Sequence, residues 1–343
     1  MTPETREAAA MCVELTPAGP RLSHAPPRRP DTSDAVLVSP SLVGICRSDL
    51  KEIGGRRPGP SQFGHELVGV VTRSSTPMLP AGSRVCLDPN VPLRRGTGFA
   101  RRMWAGGEAG ALVRALPPAP DGIGERRLVF AEPLACAAHC LTMTRRHRGS
   151  PDLRGVSVCV LGAGIAGVLI ARLAETAGAR ALIVNRDTDR LDFLAARRLL
   201  PGSGGARLSS APGGHDVVVV ATSFVLPPLL ERALSLVRRD GLVMLYGGTA
   251  AGDRLPGLDC DLDRVRRAEQ VRSTSWRDSP VLVGGSYGTT RDDFEHALRT
   301  LSGAPDGLGV ERLITEEVSL PELPATLHRL TTERSFGKVL MRP

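Results

Sequence analysis

Lysine is almost missing from this chain: of 343 residues only Lys51 and Lys338 carry an ammonium, and every other basic side chain of the Lys/Arg class is arginine. A composition that favours arginine nearly everywhere makes the two exceptions worth following, because the two residue types are not interchangeable in charge-pair chemistry. Aromatic residues make up only 3%, which speaks against a flat aromatic substrate. The seven cysteines form no CxxC pair and no evenly spaced framework, which excludes a disulfide scaffold and points to a reduced, cytoplasmic setting. Residues 1–10, MTPETREAAA, lack the basic start and apolar core of a secretory leader. The longest nearly apolar run, Val156 to Ala171, is broken by glycines and falls short of the ~20 residues a membrane span takes, so no membrane partner is expected. The formal charge of +8 is spread as arginines through every segment. Without a block or stripe of charge, a solvated basic surface is expected rather than a nucleic-acid partner.

What is there concentrates between Gly44 and Glu66, GICRSDLKEIGGRRPGPSQFGHE. A thiol (Cys46), a hydroxyl (Ser48), two carboxylates (Asp49, Glu66), an ammonium (Lys51) and an imidazole (His65) fall within one short excursion of chain. Cys, His and Glu are ligands that zinc takes, and a catalytic zinc uses three of them with a fourth position open. Taken singly, Cys46 also suits a buried thiol and Lys51 a surface lysine.

The length accommodates two domains, each with its own core. Short apolar runs at 11–15, 35–38, 67–71 and 81–88, separated by turn residues, predict a β-rich first domain, followed by a loop-rich, cysteine-free stretch at 89–131. EPLACAAHCLTM at 132–143 predicts a helix with Glu132 at its start, where the carboxylate suits either a shared site with Cys46 and His65 or plain N-terminal charge compensation. His139 on this helix reads as a satisfied core or surface histidine.

From residue 155 the pattern changes. The strand VSVCVL runs into Gly162, Ala163, Gly164, Ile165, Ala166 and Gly167, and an apolar helix follows. GxGxxG between strand and helix is the context in which the pattern means a dinucleotide turn: a tight turn, a close approach for pyrophosphate, and helix packed on strand. Further strands at 181–184, 216–221 and 242–246 alternate with helices near 188–199 and 226–238, which predicts a doubly wound parallel sheet. VLVGGSYG at 281–288 predicts one more strand, 292–301 an amphipathic helix, and the stretch from Val318 a strand-like return to the first domain. At the end of the second Rossmann-type strand, ~20 residues past the glycines, an NAD site has Asp or Glu. This chain has Asn185, then Arg186 and Arg190. A neutral Asn with arginines beside it favours NADP(H), while Asp187 keeps NAD(H) open.

GICRSD, FGHELVGVV, EPL, VLGAGIAG and FGKVLM occur in the order and at about the spacing of the medium-chain, zinc-dependent alcohol dehydrogenases, which the chain resembles over most of its length. The resemblance implies an α/β fold with a GroES-like catalytic domain over 1–150, a Rossmann domain over 151–288, and a return to the catalytic domain over 289–343. Glu132 in an EPL context looks more like the polyol, threonine and aminocyclitol dehydrogenase branch. By this resemblance Cys46 and His65 ligate one catalytic zinc, Glu66 and Glu132 alternate as third ligand or hold its water, Ser48 starts a proton relay, and Lys51 stands where relatives have His. The four-cysteine lobe that holds a structural zinc in many relatives has no counterpart here, so none is expected. The implied activity is hydride transfer between NAD(P) and a secondary alcohol or ketone of a polyol, sugar, aminocyclitol or natural-product type, in a dimer or tetramer. The alternatives are a metal-free quinone or enoyl reductase of the same fold and a catalytically idle RNA- or protein-binding relative; the Cys46 and His65 pair weighs against the first.

Overall fold

The computed structural model describes residues 10–57, 61–303 and 307–343. The N-terminal residues on which the reading of no leader rests lie, all but residue 10, outside the described residues, as do three residues of the Gly44–Glu66 stretch. By contacts the chain divides into two units, Met1–Glu132 with Leu298–Pro343, and Pro133–Ala297.

The first unit opens with a hairpin, β1 (Cys12–Thr16) and β2 (Gly19–Ser23). The long strand β3 (Asp34–Gly44) leads to the short helix α1 (Arg47–Ile53), after which come β4 (Glu66–Ser74), β5 (Arg84–Cys86), β6 (Arg94–Arg95) and β7 (Met103–Gly107). Helices α2 (Ala109–Ala115) and α3 (Glu125–Leu128) follow. β3 takes in far more than the four residues read as strand, because Pro40 sits at an irregularity in its pairing with β4, where a residue lacking a backbone donor is tolerated. The stretch 89–131, expected to be loop, contains β6, β7, α2 and α3: their apolar residues are too few and too interrupted by Gly and Arg to register as periodic.

Helix α4 (Ala131–Arg148) runs from the first unit into the second. The second unit then builds β8 (Ser157–Leu161), α5 (Ile165–Thr176), β9 (Arg180–Asn185), α6 (Thr188–Ala196), β10 (Gly205–Arg207), β11 (His215–Val220), α7 (Pro227–Leu236) and β12 (Val237–Leu245). It ends with α8 (Leu262–Arg267), β13 (Val271–Trp276) and β14 (Ser279–Gly285). The sheet order is β10-β9-β8-β11-β12-β14-β13. All of its pairs are parallel except β13 with β14, which is antiparallel. Val158, Cys159, Val160, Val217, Val218, Val219, Val243 and Met244 are wholly buried, as strands covered on both faces must be. Each such apolar side chain contributes about 1.5–3 kcal/mol of burial. Pro227 and Pro228 open α7, where their missing donors cost nothing.

Helix α9 (Arg291–Gly303) crosses back to the first unit, which closes with β15 (Ile314–Ser319), α10 (Leu323–Thr332) and β16 (Lys338–Arg342). The units part inside α4 and α9. β15 and β16 join β3, β4 and β5 in the order β15-β16-β3-β4-β5. This pairing carries Lys338 to the end of β3 that supplies Gly44 and Cys46.

Candidate functional site

Cys46 and His65 are brought together by one buried carboxylate. Asp49 lies in the first turn of α1 and accepts hydrogen bonds from the backbone N–H of Cys46 at 2.7 Å and of Gly64 at 3.0 Å. Charge-assisted bonds of this kind are among the stronger ones available to a backbone. Gly64 adopts φ +68°, and a Cβ there would stand 2.6 Å from the backbone N of Phe99, so only glycine lets the chain turn at this point.

His65 Nδ1 lies 3.0 Å from the carbonyl of Gln62 and 3.5 Å from Asp49. Both are acceptors, so Nδ1 carries the hydrogen and Nε2 is the nitrogen left for other chemistry. Ser48 Oγ is 3.3 Å from that Nε2. Burial alone would pull the imidazole pKa down, but the charge and hydrogen bond of Asp49, with help from Cys46, hold it well above the usual histidine value.

Glu66 begins β4 next to His65 and is buried at the foot of the same group. Its two oxygens accept from Lys338 Nζ at 2.7 and 2.5 Å, and the same ammonium donates to the carbonyl of Ile45 at 3.3 Å. Burial would lower the lysine pKa; the charge of Glu66, then that of Cys46 and the bond to Glu66, raise it above its ordinary value. Among the described residues, Cys46, His65 and Glu66 form a group whose ligand atoms lie within 4.8 Å of one another. A thiol sulfur, an imidazole nitrogen turned free by its partner and a carboxylate are donors that zinc takes, so the residues fit the ion. Glu132 is buried in the first turn of α4 and its charge reaches Lys338, but it is not one of the three. Ser48 and Lys51, three residues apart, share a face of α1 and are both half-buried.

In the second unit Gly162 turns at φ +115°, with its N–H bonded to the Val184 carbonyl at 2.8 Å and no room for a Cβ, which would stand 2.9 Å from the Ala221 carbonyl. Gly164 caps α5 and faces open space, Ile165 and Ala166 start the helix half-buried, and Gly167 packs against the Gly162 carbonyl. The open approach at Gly164 is the space a pyrophosphate uses at such a turn. Asn185 accepts from Ala163 N–H at 3.3 Å and donates to the Asp187 carbonyl at 2.9 Å. Arg186 is exposed and pairs with Asp187 at 3.4 Å, and Arg190 is half-buried on α6. Arg186 also borders an open hollow of about 590 Å³ whose other walls are Arg207, Leu208, Ser209 and Arg232.

The reading of the sequence missed Asp49 as the tie between the two ligand segments, Gln62 as the setter of the His65 tautomer, and Arg207 and Arg232 beside Arg186. Lys338 had a signal, its rarity, but nothing in sequence connects it to a carboxylate 272 positions away.

Residues 32–113 match the alcohol dehydrogenase GroES-like domain. The sorbitol dehydrogenase of Halalkalibacterium halodurans is 24% identical, over 90% of this chain and 91% of that protein. The D-arabitol-phosphate dehydrogenase of Enterococcus avium is 22% identical over 74% of this chain and 79% of its own. In fold, the chain is similar to a protein from Sinorhizobium meliloti 1021 described as a zinc-binding dehydrogenase and solved with NADP bound: TM-score 0.74, 20% identity, 97% of this chain and 99% of that one. With a GroES-like domain match that holds a Cys, His and Glu group and a largely parallel sheet with a glycine turn, the chain is similar to zinc-type alcohol dehydrogenases, polyol dehydrogenases among them.

Proposed function

We propose that this chain is a zinc-dependent oxidoreductase that moves a hydride between NADP(H), ahead of NAD(H), and a secondary alcohol or ketone of a polyol, sugar or aminocyclitol type. The observation that carries the reading is the convergence of Cys46, His65 and Glu66 within 4.8 Å, with the Ser48 hydroxyl 3.3 Å from His65 Nε2. Cys46 and His65 would hold the ion with a carboxylate as third ligand: Glu66 stands in the group, but because Lys338 donates to both of its oxygens we assign that place to Glu132. When bound, zinc supplies a Lewis acid that eases loss of a hydroxyl proton near neutral pH, and the dinucleotide supplies the hydride acceptor.

The chain's own residues do the rest. Ser48 would take the substrate hydroxyl proton while giving up its own, and we assign Lys51, on the same face of α1, to relaying that proton to water. Asp49 and Gln62 keep the His65 ring and its tautomer in place. For the dinucleotide, Asn185 removes the carboxylate that would repel a 2′-phosphate, and Arg186 with Arg207 offers it guanidinium partners.

Metal analysis of the purified protein, combined with titration of NADPH and NADH by nicotinamide fluorescence, tests this. The expected result is about one zinc per chain and tighter NADPH binding. Dinucleotide binding without zinc would overturn the metal mechanism in favour of metal-free reduction, and loss of both would leave only the binding-protein alternative.

A further inference from the structure

The strand order of the second unit reverses between β8 and β11: β9 and β10 lie to one side, β11, β12 and β14 to the other. In such sheets the ligand lies across the carboxyl ends of the strands at the reversal, with the adenosine ribose at the end of the strand after the glycine turn. The opposite half of a dinucleotide, its nicotinamide, therefore lies toward the carboxyl ends of β12 and β14. The chain leaves β14 through Ser286, Tyr287, Gly288, Thr289 and Thr290 before α9 begins.

That segment is fastened by a charge cluster around the buried His139. His139 on α4 is 3% exposed, and each ring nitrogen meets a carboxylate, Nδ1 that of Asp293 at 2.7 Å and Nε2 that of Glu269 at 2.5 Å. With a carboxylate acceptor at each ring nitrogen, the ring is an imidazolium that donates from both. Asp293 also accepts from the Thr290 N–H at 3.0 Å, the Thr290 hydroxyl at 2.6 Å and the Thr142 hydroxyl at 2.9 Å. Glu269 accepts from the Tyr287 N–H at 2.9 Å. Glu269 is held at φ +49°, a conformation that a residue with a Cβ adopts only where its surroundings enforce it. One histidine thus grips both ends of the segment, through Glu269 at Tyr287 and through Asp293 at Thr290.

We propose that His139 is a positioning residue for the nicotinamide end of the bound dinucleotide: clamped between Glu269 and Asp293, it holds the backbone of residues 287–290 in the shape that end requires. The inference rests on the dinucleotide-dependent reading above. Its test separates the two halves of the ligand. Dissociation constants of NADPH and NADH are compared with those of ADP-ribose and its 2′-phosphate, which lack only the nicotinamide ring, for wild type, His139→Gln and Glu269→Gln. Glu269→Gln keeps an acceptor for Tyr287 while removing the charge that faces His139, and it carries the same comparison should His139→Gln fail to fold.

Removing charged hydrogen bonds from the segment is expected to weaken the nicotinamide-bearing ligands roughly tenfold or more in His139→Gln, and less in Glu269→Gln, with ADP-ribose changed by under about twofold. Equal weakening of both kinds of ligand would reduce His139 to a general stabiliser and overturn the proposal, as would no change in either. Wild-type protein that binds neither kind would remove the dinucleotide reading itself and the proposal with it.

Discussion

At the scale of single residues, the pair of Lys338 and Glu66 has the clearest energetic consequence. Both are buried almost completely, and removing one partner of such a pair leaves an uncompensated charge in a poor solvent. Lys338→Met is expected to lower stability by roughly 3–5 kcal/mol in urea unfolding; a loss within the range of a surface substitution would mean that water reaches Glu66. The same pair makes the two candidate carboxylates unequal. Glu132→Gln is expected to lose zinc on dialysis while Glu66→Gln retains it, and the reverse order would assign the third ligand to Glu66. What the sequence made readable here were the donors themselves, since thiol, imidazole and carboxylate announce their chemistry wherever they stand. Their supports were not readable: Asp49 acts through backbone amides, and Lys338 reaches Glu66 only after strand pairing across most of the chain.

At the scale of elements, the tie between α4 and the segment leading into α9 sets a pH dependence. Burial pushes the His139 pKa down, yet the bonds and charges of Asp293 and Glu269 raise it above 6.5. A pKa raised in the folded state contributes stability that is full below the unfolded value of about 6.5 and is lost as pH rises through the folded one. Asp293 works in the opposite sense. Its burial would raise the pKa, but the bonds from His139 and the two threonines bring it to about 2, so its contribution is present above about 3.9 and is lost as pH falls toward 2. Thermal unfolding followed between about pH 4 and 9 should therefore show a decline above 6.5 that His139→Gln flattens; an unchanged slope in the variant would place the decline elsewhere. The buried strands β8, β11 and β12 were readable because continuous Val and Leu runs leave few other structures open. β13 and α10 were not: VRSTSW is mostly exposed and polar, and LPATLHRLTT has a proline at its second position and spans under three turns. β13 adds an antiparallel edge to the parallel sheet that the sequence predicts, and its hairpin with β14 turns through Arg277 and Asp278 at positive φ rather than through the Asn-Gly signal usual at such turns.

For the molecule as a whole, a charge of +8 carried almost entirely by arginine bears on the choice of dinucleotide. Arg186 and Arg207 are exposed, so their attraction for a 2′-phosphate is screened by salt. NADPH affinity should fall with rising ionic strength more steeply than NADH affinity, as measured by fluorescence titration at several salt concentrations. Parallel salt dependences would mean that the arginines do not touch the phosphate. Among the described residues no helix is long and apolar enough to cross a membrane.

The placement of Lys338 on β16 has a consequence in time. Lys338 follows its partner Glu66 by 272 residues, and at roughly 5–20 residues per second of synthesis the carboxylate waits on the order of a quarter of a minute to a minute for its counter-charge. Throughout that interval β3 also lacks its neighbour β16, while all of the second unit, residues 133–297, is made in between. The chemistry made earliest is thus sealed last, after the whole sequence of the other unit has been added.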